Sequence, residues 1–266
     1  MTTPGSLYVQ SGDGWLPTEL GRGPWDPNAL HGGAVAPLLV RELEQLPALV
    51  PMRLARVTIE LLRPVPLEPL TLDAELLREG KRIGLVDVTL TSSSDGTVVA
   101  RARALRIRTA EVAFAELSQE HVPALPGSDT DLSDRSPAQQ TYTAFHNTAV
   151  RHRFARGTFG EVGPAFDWIR LAVPVVPGED PTGWQRAAAA ADFGNGISSL
   201  VDFDGTTMFI NPDLTIHLWR EPEGEWVGMD SVSYASGTGI GASDSAMWDR
   251  RGRIGRTNQS LLLDRF

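Results

Sequence analysis

The sequence predicts an α+β fold made of two copies of one unit, each a helix followed by an antiparallel sheet, packed side by side. Three observations predict it. Several runs alternate apolar and polar residues with period two, one longer stretch sets its apolar residues on a helical face, and the second half repeats the first at nearly constant spacing.

The helix comes first. From His31 to Leu46, the residues Val35, Leu38, Leu39, Leu43 and Leu46 recur on one helical face, and Pro37 is tolerable only near the helix start. The strands follow. In Leu54 to Arg63, Val57, Ile59 and Leu61 share one face and Arg56, Thr58 and Glu60 the other, as in a half-buried strand. Similar runs lie at Thr71 to Leu77, Leu85 to Thr91 and Val98 to Arg108, separated by turn signals at Glu79-Gly80 and Asp95-Gly96, which makes an antiparallel meander.

Subtraction tests the repeat. Thr58-Ile59-x-Leu61-x-Arg63 matches Thr215-Ile216-x-Leu218-x-Arg220, an offset of 215 − 58 = 157. Leu72-Asp73 and Met229-Asp230 keep that offset, as do Ile83-Gly84 and Ile240-Gly241; Gly96 with Gly252 and Leu105 with Leu261 then give 156. The second helix is expected near Pro181 to Leu200, where Pro181-Thr182-Gly183 supplies a start and the run Ala187 to Ala191 supplies propensity. The expected organisation is residues 1–115 as the first unit, 116–147 as a polar linker without apolar period, and 148–266 as the second unit. Pairing the two copies covers their edges and leaves a cleft between them, where a ligand site is expected.

Composition excludes several function classes. With 24 basic and 33 acidic residues, a net charge of −9 argues against a nucleic-acid partner. The absence of cysteine excludes disulfides, thiolate nucleophiles and Cys-ligated metal. The first residues resemble no secretory signal and no stretch approaches the ~20 apolar residues of a membrane span, so a soluble cytoplasmic protein is expected. No serine elbow, His-Glu-x-x-His or phosphate loop is present. The five histidines are scattered, so neither metal nor cofactor is expected.

Chemistry therefore falls on a few positions. His31-Gly32-Gly33 opens the first helix, where unpaired amides can polarise a carbonyl oxygen; tight packing of helix on sheet is the plainer role for the glycines. Asp192, in the apolar stretch Ala189 to Leu200, is either a base or an exposed residue of a last helical turn before Gly194-Asn195-Gly196. Asn211 stands opposite Leu54 and reads as a turn residue before Pro212. Gln259 stands opposite Arg103 and reads as a solvated strand face. Arg101, Arg103, Arg106 and Arg108 could bind phosphates, but read better as a solvated face or edge guard.

Taken in order, these segments resemble a known family. The Gly-Gly helix start with Val57 to Pro64 is similar to the first hotdog of the double-hotdog acyl-CoA thioesterases, the thioesterase II-like (TesB-like) family. Ala191 to Gly196, Phe209 to Arg220, Gly224-Glu225-Trp226 and Asn258-Gln259 resemble the second. The resemblance implies a tandem hotdog fold and hydrolysis of acyl-CoA by an activated water without a covalent intermediate. The family's catalytic Asp falls on Asp192 and its Gln on Gln259, while its strand Thr falls on Asn211; Thr215, four residues on, would keep the hydroxyl. The resemblance also implies His31, Gly32 and Gly33 at the substrate carbonyl, and further association of copies. Two alternatives follow from the same reading. One is an acyl-thioester binder with a disabled water site, suggested by Asn211. The other is a hydratase or dehydratase, which requires a paired His and Asp that the sequence does not locate.

Overall fold

The computed structural model describes residues 5–113, 121–130, 142–201 and 207–265. The first unit consists of β1 (Tyr8–Ser11), β2 (Gly14–Pro17), α1 (Gly32–Gln45), β3 (Met52–Leu61), β4 (Leu70–Arg78), β5 (Ile83–Ser92) and β6 (Val98–Arg108). The second consists of β7 (Val150–Arg156), β8 (Ala165–Leu171), α2 (Gly183–Ala191), α3 (Gly194–Ile197), β9 (Thr207–Ile210), β10 (Asp213–Leu218), β11 (Trp226–Ala235), β12 (Ile240–Asp249) and β13 (Gly252–Arg265). All strands join one antiparallel sheet in the order β1-β2-β4-β5-β6-β3-β10-β13-β12-β11-β8-β7, with β9 pairing β13. Read outward from the β3–β10 junction, the two halves run through corresponding strands.

That junction shows what the repeat means. Thr215 pairs with Thr58, Asp213 with Glu60 and His217 with Arg56. An offset of 157 carries Thr58 onto Thr215 and turns the Glu60–Asp213 pair into the His217–Arg56 pair. A pseudo-two-fold axis therefore passes between Thr58 and Thr215, whose hydroxyls lie 3.3 Å apart.

On β13 the register corrects the sequence alignment. Val88 pairs Ala102 on β5–β6, and Ser245 pairs Thr257 on β12–β13, so the offset there is 257 − 102 = 155 and not 156. Gln259 is thus the counterpart of Ala104, not of Arg103. In a strand a one-residue slip exchanges faces, and Gln259 points inward, 2% exposed.

Each helix packs on the inner face of its half. Val35, Leu38, Leu39 and Leu43 of α1 are fully buried against that face. The Ala run of α2 has a packing role beyond propensity: a side chain on Gly33 would meet the Ala189 carbonyl at 2.9 Å, so the two helices lie nearly backbone to backbone. Two of the arginines on β6 are tied into the fold. Arg103 forms a two-pronged pair with Asp87 at 2.7 and 2.6 Å, and buried Arg106 donates to the Leu43 and Pro47 carbonyls at the end of α1.

Five strands, β1, β2, β7, β8 and β9, lay outside the sequence prediction. The first two have four residues each, and β8 is buried almost throughout, so it shows no alternation. Residues 142–149, which include the end of the expected linker, hold a π-helical turn at Phe145–Ala149 with Phe145 and His146 buried.

Candidate active site

A cavity of about 1100 Å³ opens between the two halves. One side is apolar, with Trp25, Leu61, Leu62, Val65, Phe209 and Ile210. His31, Gly32, Asp192, Asn195 and Asn211 also border it.

Asp192 caps the C-terminus of α2, where the helix breaks before α3. It is 5% exposed, which removes the reading of an exposed last-turn residue. Its Oδ1 accepts from Asn211 Nδ2 at 2.8 Å, and Oδ2 lies 2.8 Å from His31 Nδ1. Burial alone pushes the carboxyl upward. The hydrogen bond and charge of His31, the Asn211 amide and the Gly33 N–H together outweigh burial and hold it below the ordinary aspartate value.

His31 is the N-cap of α1, and its Nδ1 also lies 2.9 Å from Gly33 N. One ring nitrogen cannot both accept from Gly33 and donate to Asp192. Beside an ionised carboxylate, the tautomer with the proton on Nδ1 is favoured, and the Gly33 amide then turns to the same carboxylate. The ring is held between Phe145 and Phe193, with centroids 5.1 and 5.0 Å away. A paired His and Asp, which the sequence did not locate, therefore exists, assembled from opposite halves.

The two glycines separate in role. A side chain on Gly32 would meet the Asp192 carboxylate oxygens at 2.6 and 2.8 Å, so the missing side chain lets the carboxylate lie on the helix start. Gly32 borders the cavity. The expectation of Gly33 as a second donor to substrate meets a competing partner: its N–H bonds to the Asp192 carboxylate, and a side chain there would strike Phe145.

Gln259 bonds to the turn that carries Asp192. Its Nε2 donates to the Asp192 backbone carbonyl at 3.1 Å and its Oε1 accepts from Asn195 N at 3.0 Å. Both ends of the amide grip the turn between α2 and α3, and Gln259 is not among the residues that border the cavity. Asn211, by contrast, borders the cavity in the short link between β9 and β10. Thr215 is bonded to Thr58 at the sheet junction and is not among the residues that border the cavity.

Sequence reasoning missed His146, His152 and Asp167. His152 Nδ1 lies 2.6 Å from Asp167 Oδ2 with both side chains fully buried, and both histidines border the cavity. Asp167 gave no signal because it sits within the uninterrupted buried run of β8. Among the described residues, no group of three or more His, Asp or Glu is placed to hold a metal ion, and no helix is long and apolar enough to cross a membrane.

The geometry can be set against known proteins. The chain is similar in structure to a candidate thioesterase from Novosphingobium aromaticivorans (TM-score 0.71, 20% identity, covering 97% of this chain and 98% of that one). It is similar to a hot dog fold protein of unknown function from Alicyclobacillus acidocaldarius (0.70, 15%, 97% and 95%). It is also similar to an acyl-CoA thioesterase II from Mycobacterium marinum (0.63, 16%, 93% and 96%). These likenesses establish the double hotdog fold. Among curated proteins, none matches the chain. Residues 21–107 match the acyl-CoA thioesterase N-terminal domain and residues 120–263 match its C-terminal domain. This chain, with its paired halves and shared cleft, belongs to the acyl-CoA thioesterase family and is a thioester hydrolase.

Proposed function

We propose that the chain hydrolyses acyl-CoA by direct attack of a water activated at the Asp192–His31 pair. The observation that carries this reading is the buried Asp192 carboxylate at the cavity wall, fixed by donors from both halves of the molecule. A carboxylate with two oxygens offers about four lone-pair sites. His31, Asn211 and Gly33 occupy three, which leaves one for a water O–H. The water oxygen adds to the thioester carbon, and its proton passes to the Asp192–His31 pair. The resulting oxyanion faces the Gly32 amide at the positive N-terminus of α1. On collapse the C–S bond breaks, and the proton passes to the departing thiolate. Because a thiol has a pKa of roughly 8.5, departure needs no strong acid. The acyl chain lies along Trp25, Leu61, Leu62, Phe209 and Ile210, and exposed Arg63 at the rim suits the nucleotide phosphates.

The test is thiol release from a graded panel of acyl-CoAs. Asp192→Asn keeps the shape and removes the base, so kcat should fall roughly 10²–10⁴-fold; hydrolysis at the unaltered rate by that variant overturns the mechanism. The His31–Asp192 contact also favours a second reading, hydration of an enoyl thioester. Loss of the conjugated enoyl absorbance without thiol release would support it. Binding without either reaction would return the site to an acyl-thioester binder.

A further inference from the structure

The cavity has a polar end that the proposed mechanism does not use. It is built by the π-helical turn Phe145–Ala149 and by β7, which carry His146 and His152. π-helical turns are rare and recur at functional sites. His146 is 7% exposed, and among the described residues neither of its ring nitrogens has a hydrogen-bond partner. His152 is 1% exposed. Its Nδ1 is taken by Asp167, and its Nε2 likewise lacks a partner. The other polar groups here are bonded within the protein: Thr148 Oγ1 to Ala144 O, Asn147 Oδ1 from Ala144 N, Thr130 Oγ1 from Phe154 N, and Asp129 with Arg153. The two histidines therefore stand apart as buried polar groups without partners, and buried polar groups normally have them.

Their chemistry specifies what would satisfy them. Burial, with the imidazoles of His31 and His152 nearby, pushes His146 down to about 3, so its ring is neutral and offers one N–H and one lone pair. The Asp167 contact places the His152 proton on Nδ1, which leaves a lone pair on Nε2. Together they offer one donor and two acceptors. A hydroxyl that accepts the His146 N–H and donates to His152 Nε2 meets two of these three groups. A ketone can only accept, and leaves both lone pairs unmet. A carboxylate would be repelled by Asp192 and Asp167. The subsite lies beside the His31–Asp192 pair, because Phe145, the chain neighbour of His146, packs against His31 at 5.1 Å, and Phe193 lies 4.9 Å from the His152 ring and 5.0 Å from that of His31.

We infer that His146 and His152 form a specificity subsite for an acyl group bearing a hydroxyl a few bonds from the thioester carbon. The inference rests on the hydrolytic reading above. The experiment compares kcat/KM of the whole protein for β-hydroxyacyl-CoA, in each enantiomer, with the β-keto and unsubstituted acyl-CoAs of the same chain length. One hydroxy enantiomer should exceed the unsubstituted and keto substrates by roughly 10–100-fold, as expected when a buried hydrogen-bonding group is otherwise left without a partner. The hydroxy-to-plain ratio should collapse toward one in His146→Phe and recover in part in His146→Gln, which keeps a donor and an acceptor. A wild-type protein that hydrolyses plain and hydroxylated chains equally well overturns the subsite and leaves the hydrolytic reading intact. No thiol release from any of the four substrates overturns both. Because the decisive ratio is measured on the unaltered protein, it does not depend on how the variants fold.

Discussion

Asp192 is useful because it is buried and charged at once, and that state depends on its neighbours. Gly32 is one of them: a single methyl group there would stand 2.6 Å from Asp192 Oδ1. The carboxylate cannot retreat, because His31 and Asn211 fix both oxygens. Gly32→Ala should therefore cut thiol release at least 10²-fold, as small displacements of positioned groups do, while circular dichroism shows the fold retained. Unchanged kcat in that variant would mean that the carboxylate is not tightly held. His146 makes a separate prediction about acid. Its folded value is about 3 against an ordinary 6.5, so between those values the unfolded chain binds a proton that the folded one does not. Stability is therefore full above pH 6.5 and falls below it, by about 1.4 kcal/mol per pH unit. Denaturant unfolding from pH 7 to 4.5 should show that slope, and His146→Phe should flatten it. His217, also held low by burial and by Arg56 and Arg256, contributes in the same direction in both proteins, so the difference isolates His146. Asp192 adds its loss only below the ordinary carboxylate range, because its folded value is depressed.

The element that holds the site is the break between α2 and α3, gripped from behind by β13. A side chain on Gly194 would meet Gln259 Oε1 at 2.8 Å and the Ser243 and Ser245 hydroxyls at 3.0 Å, so the turn rests directly on the strands. Gln259→Leu removes both bonds and leaves the Asn195 N–H buried without its acceptor, which costs about 1–3 kcal/mol. Thermal denaturation should report that loss, and kcat should fall more than KM rises, because the turn carries Asp192 and not the acyl wall. A variant with normal kcat would reduce Gln259 to a packing residue. How much of this was legible beforehand depended on the element. β3 to β6 announced themselves because one face of each is wet, and the alternation survives in the sequence. β8 did not, because residues such as Val122 and Leu125 pack over its Phe166 and Trp168, and a strand covered on both sides has no period. The residues of the site were named through resemblance, but the face of Gln259 was misassigned by a one-residue slip. The His31–Asp192 contact lay beyond reach because it joins residues of opposite halves, which only the packing of α1 on α2 brings together.

At the scale of the whole molecule, the pseudo-two-fold axis produces that contact twice and uses it differently. α1 and α2 lie antiparallel, so the start of each meets the end of the other. At one crossing His31 meets Asp192. At the other, Thr182, the N-cap of α2, donates to Glu44 at 3.0 and 2.9 Å, and Gln185 adds a third bond at 3.1 Å. Burial outweighs those bonds and leaves Glu44 above the ordinary glutamate value, whereas Asp192 is held below its own. One crossing thus keeps a carboxylate ionised beside a cavity, and its twin serves as a helix cap. Since His31 comes from the first half and Asp192 with Asn211 from the second, neither half alone holds the set proposed to activate water. The same symmetry predicts what a half does when alone. Residues 1–113 would expose β3, ten residues long, and the side of α1 that packs on α2. An unpaired strand edge seeks a partner. The register centred on Thr58 and Thr215 lets β3 pair with a second copy of itself, Thr58 opposite Thr58, with two α1 helices packed antiparallel as α1 and α2 now are. Light scattering should therefore find this fragment as a dimer without thiol release, and co-expression with residues 121–265 should restore activity by forming the natural pair. A stable monomeric fragment would show that the edge is protected within the first half, and that the duplication joined two units already able to stand alone.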